Sequence, residues 1–259
     1  MTITARRPAT PSVVRDSVTV FVRELRPVIR DPFSLIFSLV QPLVFLGLFG
    51  PLLVGTSGQP VGETLQWFVP GILVMIALFG TAGTGSNLLF EMQMGSHERT
   101  LVAPIARSSL LIGRALKEMA PIAVQAAIIA GVTVPFGFSI NVPGMLVGVV
   151  LLAILGVGLG ALSYTLALLS RNKDWLFWGV QQTLIFPLMI LSGMLLPLDE
   201  GPAWMRAAAL VNPISHVVAA ERSLFAGDLA APSVLWGFVA ALVLAALGLA
   251  VGIRTMRRS

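Results

Sequence analysis

The sequence predicts an all-α integral membrane protein with six transmembrane helices, and three observations carry the prediction. Of 259 residues, 56% are hydrophobic and only 11% charged, against about 25% charged in soluble domains. The mean hydropathy is +0.90. Six apolar runs, at about 33–54, 67–90, 119–137, 143–169, 175–197 and 233–253, contain no Lys, Arg, Asp or Glu. Each is close to the ~20 residues that a bilayer crossing needs. A charge at mid-helix costs roughly 2.5–3.5 kcal/mol of insertion free energy, so clean runs of this length read as spans. Buried helices of a soluble protein would have more polar sequence between them. Six spans and their loops leave no room for a soluble catalytic domain of roughly 100–150 residues.

The segments follow in order. Residues 1–12 are polar and proline-bearing and read as a disordered tail. In residues 13–30, Val14, Val18, Phe21, Val22, Leu25 and Ile29 recur at steps of three and four, the helix period. Arg15, Asp16, Arg23, Glu24, Arg26 and Arg30 fill the other side. Such a helix lies in the headgroup plane with its apolar face down or packs on protein as an ordinary amphipathic helix, the span that follows at once favouring the first, and Pro27 is expected to kink it or end it early. Residues 1–32 therefore read as a cytoplasmic tail and interfacial connecting helix, 33–253 as the six-span domain and 254–259 as a second cytoplasmic tail. The first apolar run starts too late, and is too long, for a secretory signal. No apolar stretch follows Arg6-Arg7 to make a twin-arginine signal.

Orientation follows from the cations. Fifteen of the 17 Lys and Arg fall before the first span, between the second and third, between the fourth and fifth, or after the sixth. The other side keeps only Arg206 and Arg222. The positive-inside rule puts both termini in the cytoplasm of a multi-pass protein of the cell membrane. The same rule accounts for the net charge of +5 and the pI of about 11.0 without nucleic acid as a partner.

Several chemistries are excluded. There is no cysteine, hence no disulfide, thiolate-zinc site or thiol catalysis. There is no GxxxxGK[ST] phosphate loop; the nearest glycine cluster, Gly80 to Asn87, lacks a lysine and lies within the second predicted span. Small residues there allow close helix approach. Gly144/Gly148, Gly156/Gly160 and Gly248/Gly252 have the spacing of packing faces. The two histidines, His97 and His216, fall on opposite sides of the membrane and cannot share a metal. No hydrolytic constellation and no catalytic or metal-binding residue is predicted.

The polar residues in or near the spans are Gln41, Asn87, Gln125, Gln181, Gln182 and Ser192. Ion-coupled transport commonly places a titratable or ion-liganding group at mid-membrane, so the lack of one points to an energy source elsewhere. Gln41 stands next to Pro42, which frees a backbone carbonyl one turn back. It serves either helix packing or a substrate path.

Two loops stand out. In the inner loop, Ser96 to Ala103 reads either as a solvated loop or as a short helix stopped by Pro104; as a helix it has Glu98, Arg99 and Arg107 solvated, and Leu101, Val102 and Ile105 as an apolar face that can enter a partner's groove. In the outer stretch a helical pattern runs from Pro202 to near Val211. Asn212 then caps a second helix with Pro213 at its first position. Trp204, Leu210, Ile214, Val217, Val218 and Leu224 make both helices apolar for an outer loop, so they are expected to re-enter the outer leaflet.

The stretch LVAPIARSSLLIGRALKE (101–118), with Glu98 before it, resembles the signature of type-2 ATP-binding-cassette (ABC) exporter permeases, in particular the daunorubicin-resistance-like branch. The opening VRELRPVIRDPFSLIFSLVQPLVFLGLFG and the closing SGMLLPLDEGPAWMRAAALVNPISHVV are similar to that family's beginning and end. Where many members carry a Glu-Gly run before the signature, this chain reads Met94-Gly95-Ser96-His97-Glu98.

The resemblance implies a permease subunit that binds no cofactor itself. ATP and magnesium would belong to a separate cytoplasmic ATPase. Glu98, Arg99, Thr100, Leu101, Val102, Ala103, Pro104, Ile105 and Arg107 would form the coupling helix that docks on it. A second permease chain, identical or a paralogue, would complete the path, and the first and fifth spans would line it. Gln41, Pro42 and Phe45 are then the path residues of the first span, and Gln181, Gln182, Phe186 and Met189 those of the fifth. Trp204, Asn212, Pro213 and His216 would belong to the re-entrant outer region. The cargo expected of so uncharged a path is hydrophobic or amphiphilic: a drug, a lipid or a polyketide-like molecule. Without the resemblance, the residues also allow an ATPase-independent transporter or channel, or a membrane scaffold.

Overall fold

The computed structural model describes residues 13–95, 107–171, 173–199 and 201–258. Among these residues the fold is helical, without strands. The helices are α1 (Val13–Arg30), α2 (Pro32–Ser57), α3 (Val61–Gln93), α4 (Arg107–Lys117), α5 (Met119–Thr133), α6 (Val142–Leu169), α7 (Asp174–Ile190), α8 (Ala203–Val211), α9 (Pro213–Phe225) and α10 (Pro232–Arg258), with a 3₁₀ turn at Val134–Phe136. The predicted tail at 1–12 and the predicted coupling helix lie outside the described residues.

Five helical stretches are long and apolar enough to cross a bilayer: Leu35–Ser57, Val61–Gln93, Ser108–Phe136, Val142–Leu169 and Pro232–Met256. They match five of the six predicted runs, and the remaining run, 175–197, is shorter as a helix than expected. α7 has 17 residues, which at 1.5 Å per residue is about 25 Å. Beyond Ile190 the chain tightens: Ser192 N–H donates to the Met189 carbonyl and Gly193 N–H to that of Ile190. Gly193 then takes φ +72°, a left-handed conformation that glycine adopts without a Cβ clash.

α3 and α6 form the centre. Of the most apolar part of α3, 72% is buried, against 17% for α2. α6 packs against α3, α10, α9, α4 and α5, whereas α2 leans mainly on α3. Glycines set the closeness. A Cβ on Gly158 would lie 2.8 Å from the Ala245 nitrogen of α10, and one on Gly85 2.4 Å from the Ser163 carbonyl oxygen of α6. The predicted small-residue faces do pack, with Gly144 and Gly148 against α9, Gly156 against Ile122, and Gly252 against Leu111. Gly80 and Gly83 differ, with nothing within 4 Å of where a Cβ would stand.

Two apolar clusters fill the interior. One runs through α3, α5, α6 and α9, centred on Phe68, Ile72, Ile129, Leu151 and Val217. The other gathers Val20, Leu88, Leu111, Tyr164 and Phe177 where α1, α3, α4, α6 and α7 meet. The bundle thus has an α4 end and an α9 end.

α1 runs through Pro27 to Arg30, because the amide that proline lacks is only one link of the ladder; Asp31 N–H still donates to the Pro27 carbonyl at 3.0 Å. Its packed seam is Asp16, Ser17 and Val20, and a Cβ on Gly113 of α4 would come within 2.6 Å of Val20 Cβ. The apolar stripe read from the sequence points away from this seam: Val14, Val18, Val22 and Ile29 are exposed.

Candidate functional site

α1 and α2 are joined through the single non-helical residue Asp31. That sharp connection sets α2 off from the core and opens a cleft between it, α3 and α5. The main cavity is about 530 Å³, within the 300–1,000 Å³ typical of small-molecule sites. Glu24, Asp31 and Glu91 line it toward the α4 end, with Lys117 and Glu118 at the α4–α5 junction. One wall is a stripe down α3, Gly80, Gly83, Asn87 and Glu91, at the three- and four-residue steps that keep side chains on one helix face. A second cavity of about 140 Å³ lies deeper and shares Ser38, Gly80 and Gln125 with the first. Its further lining includes Gln41, Pro42, Met75 and Phe79.

The polar groups around the cleft are held in place. The Gln125 amide donates to Ser38 Oγ, tying α5 to α2. Thr84 Oγ1 donates to Glu118 Oε1 at 2.7 Å, and Lys117 Nζ is 3.8 Å from the same oxygen. The cleft thus combines a charged, hydrogen-bonded mouth with an apolar inner end carrying one exposed amide, Gln41. Such a shape accommodates an elongated molecule with a polar head and an apolar body.

The predicted path residues divide into groups. Gln41 and Pro42 face the cleft. Phe45 stacks on Phe49 of its own helix, ring centroids 5.5 Å apart. On α7, Gln181 and Met189 are buried toward the core, whereas Gln182 and Phe186 are exposed. Phe186 meets Phe79 edge to face at 6.5 Å, so Phe79 touches both the α7 set and the cleft. Sequence reasoning missed Phe79, and it assigned Gly80 and Gly83 to helix packing when they leave space for the cavity. The signal was present: Gly80, Gly83, Asn87 and Glu91 form a small-to-polar stripe on an otherwise apolar helix.

The predicted coupling residues Glu98 to Ile105 lie outside the described residues; Arg107 opens α4. The frame on either side is described. Arg114 of α4, one of the cations between the second and third predicted spans, is buried at 4% exposure. It is hydrogen-bonded to Glu91 in the last turns of α3, lies 3.5 Å from Glu24 of α1, and sits over the Tyr164 ring of α6 at 5.6 Å. Four helices therefore converge on one guanidinium. Its planar fork suits it to several anionic partners at once, and two carboxylates supply the compensation that a buried cation needs.

At the α9 end the expected cap is present. Asn212 Oδ1 accepts from Ile214 N–H at 3.0 Å, and its amide donates to the Leu188 carbonyl of α7 at 2.9 Å. Pro213 fills the first helical position. His216 Nε2 is 2.9 Å from the Leu210 carbonyl oxygen, and Trp204 is exposed. Arg222, expected in an outer loop, is buried in α9. It donates to the Trp67 and Gly193 carbonyls at 3.1 and 2.8 Å, with its guanidinium 3.8 Å from the Trp67 ring centroid. Burial lowers its pKa to about 10 against the raising pull of Asp199, which leaves it charged at neutral pH. Among the described residues, no group of three or more His, Asp or Glu converges as a metal site would require.

The sequence is similar to a known family and to several of its named members. The sequence profile of the family described as ABC-2 type transporter matches residues 16–226. A protein of Streptomyces coeruleorubidus named as the daunorubicin resistance ABC transporter permease protein DrrB1 is 25% identical over 223 residues, covering 85% of this chain and 78% of that one. A protein of Cyanophora paradoxa named as a transport permease, ycf38, is 32% identical over 205 residues, covering 76% and 69%. A protein of Mycobacterium tuberculosis named as a doxorubicin resistance ABC transporter permease, DrrC, is 26% identical over 202 residues, covering 76% and 72%.

Proposed function

The chain belongs to the ABC-2 type transporter family, and from that premise we propose that it is the membrane subunit of an exporter moving a hydrophobic or amphiphilic substrate outward. The force comes from ATP hydrolysed, with magnesium, on a separate cytoplasmic subunit. Its five long apolar helices and its family make it a multi-pass membrane protein.

The finer topology rests on several supports. Six crossings with both termini in the cytoplasm fit the cation count. α7 serves as the fifth crossing despite its length, with Trp175 and Trp178 exposed at its start. At the other end of the bundle Trp204 and Trp236 are exposed. Tryptophans at two levels are what two membrane interfaces select. The exposed stripe Val14, Val18, Val22 and Ile29 suits α1 to the headgroup plane, and the apolar α8 and α9 suit a re-entrant position before the sixth crossing. The sparsely covered α2 is suited to meet a second permease chain.

The observation that carries the transport reading is the cleft beside α2. It starts near Glu91, at the end of α3 from which the coupling segment departs, and reaches Gln41 and Phe79 deeper among the helices. Docking of Glu98 to Arg107 on an ATPase would move α3 and α4 through Arg114 and alter the cleft that α3 forms with α2 and α5. Relatives named for daunorubicin and doxorubicin resistance support a bulky, largely apolar cargo.

The test is substrate-stimulated ATP hydrolysis by the reconstituted complex across a panel of drugs and lipids. We expect stimulation by amphiphilic compounds. Leu101→Ala with Pro104→Ala should abolish co-purification of the ATPase. Gln41→Leu or Phe79→Ala should change stimulation while leaving basal hydrolysis intact. Transport by this chain alone in liposomes, without ATP or a partner, would overturn the reading.

A further inference from the structure

Glu221 lies in α9 with no exposed surface. Both carboxyl oxygens are buried and neither has a hydrogen-bond partner. The slot around it is built by glycines. A Cβ on Gly148 of α6 would stand 2.4 Å from Glu221 Oε2. One turn away, a Cβ on Gly144 would stand 1.9 Å from the Leu224 carbonyl oxygen. On the other side, a Cβ on Gly237 of α10 would stand 2.3 Å from Ala220 Cβ. α9 is thus wedged between two helices that present bare backbone to it, and the carboxyl is sealed at the contact with α6.

Among the described residues no charged group faces Glu221. α6 carries Tyr164 as its one titratable side chain, near its far end. The arginines of α10 lie in its last turns, and α3 carries Glu63 in its first turn and Glu91 in its last turns. Arg206 of α8 donates to the Asp199 and Gly201 carbonyls. On α9 itself, Arg222 turns toward Trp67 and Gly193, and His216 toward Leu210. An ionised carboxylate without partner or solvent is strongly disfavoured, so Glu221 sits here as the neutral acid. Desolvation alone pushes its pKa up to about 8.

We propose that Glu221 is a proton-operated latch: uncharged, it lets α9 seat between α6 and α10, and loss of its proton drives α9 out toward water and loosens that end of the bundle. The sign follows from linkage. In the displaced helix the carboxyl returns to about 4.3, so the seated form binds the proton more tightly. Seating is therefore favoured at low pH. It weakens as pH rises from about 4.3 to about 8 and changes no further once both forms are ionised. The latch does not depend on which cargo the protein moves or on which subunit supplies the force.

The absence of native cysteine allows a clean test. Val218→Cys places a thiol on α9 at a site 1% exposed. The full chain in lipid nanodiscs is labelled with a maleimide polymer between about pH 5.5 and about pH 8.5, bracketing the linkage window. Each rate is divided by that of the same cysteine in a Glu221→Gln background, which cancels the thiol's own chemistry. We expect the ratio to rise about tenfold or more across this range, below the limit of tenfold per pH unit for one proton. A flat ratio overturns the latch. If Glu221→Gln does not insert, Glu221→Met provides the uncharged reference. Gly148→Ala should raise labelling at every pH by displacing the carboxyl; labelling unchanged by that methyl would equally overturn the proposal.

Discussion

Each end of the bundle buries an arginine, and the two are stabilised in different ways. At the α4 end Arg114 is matched by the carboxylates of Glu24 and Glu91 and covered by Tyr164. At the α9 end Arg222 has carbonyl oxygens and the Trp67 ring, while the carboxyl next to it in sequence, Glu221, points the other way and has no partner. The first arrangement is an ion network that ties α1, α3, α4 and α6 together. The second is a cation on backbone dipoles beside a neutral acid. On the proposed function the α4 end takes up force from another subunit, and a rigid joint serves that role. On the proposed latch the α9 end opens when its contacts are weakened by a small change, the loss of one proton.

Three substitutions sharpen this contrast, in descending order of expected effect. Arg114→Leu leaves two half-buried carboxylates without their shared cation; removing one partner of a fully buried pair costs about 3–5 kcal/mol, an upper bound here. It should lower the melting temperature of the detergent-solubilised chain more than any other single change described here. If Arg114→Leu melts like the unmodified protein, the network does not brace the α4 end. Arg222→Lys keeps the charge but loses the planar fork that reaches two carbonyls and stacks on Trp67. A lost hydrogen bond from a charged group is worth about 1.5–3 kcal/mol, so a smaller fall in melting temperature is expected, with faster proteolysis near Gly193. Equal losses for Arg114→Leu and Arg222→Lys would erase the distinction between the ends. Asn212→Ala removes the α9 cap, worth about 1 kcal/mol, and releases the Leu188 carbonyl. It should raise hydrogen exchange in the first turn of α9 while leaving α4 unchanged.

The legibility of the sequence divides along similar lines. The α6 run was expected at 143–169 and the helix is Val142–Leu169, because nothing competes with a long uncharged stretch between Asn141-Pro143 and Ser170-Arg171. The cap at Asn212-Pro213 was legible because capping is local chemistry. α4 was not: RSSLLIGRALK carries three cations in eleven residues and lies between the second and third predicted spans, and only the meeting of Arg114 with Glu24 and Glu91 from two distant helices shows why it packs. The early end of α7 was hidden for a related reason. Its apolar run continues to Pro197, but the chain turns at Gly193, whose carbonyl accepts from Arg222 29 residues later. Gln41 and Pro42, which line the cleft, stand out in the sequence as one unusual dipeptide. Phe79, Gly80 and Gly83 were missed because nothing in the sequence says whether a small residue is there to admit a neighbour or to leave space.

The sequence by itself determined the solvent and the scaffold. Uncharged runs of about twenty residues are stable only where lipid replaces water, and the asymmetry of Lys and Arg predicts how they are threaded. Tertiary structure alone decided which polar residues are satisfied and which are left unpartnered. A glutamate's charge state depends on whether an arginine, a carbonyl or a bare glycine stands opposite, and only the packing of helices distant in sequence sets that. Glu91 and Glu221 are the same residue type, yet Glu91 is bonded to Arg114, whereas Glu221 faces Gly148 with both oxygens unpartnered.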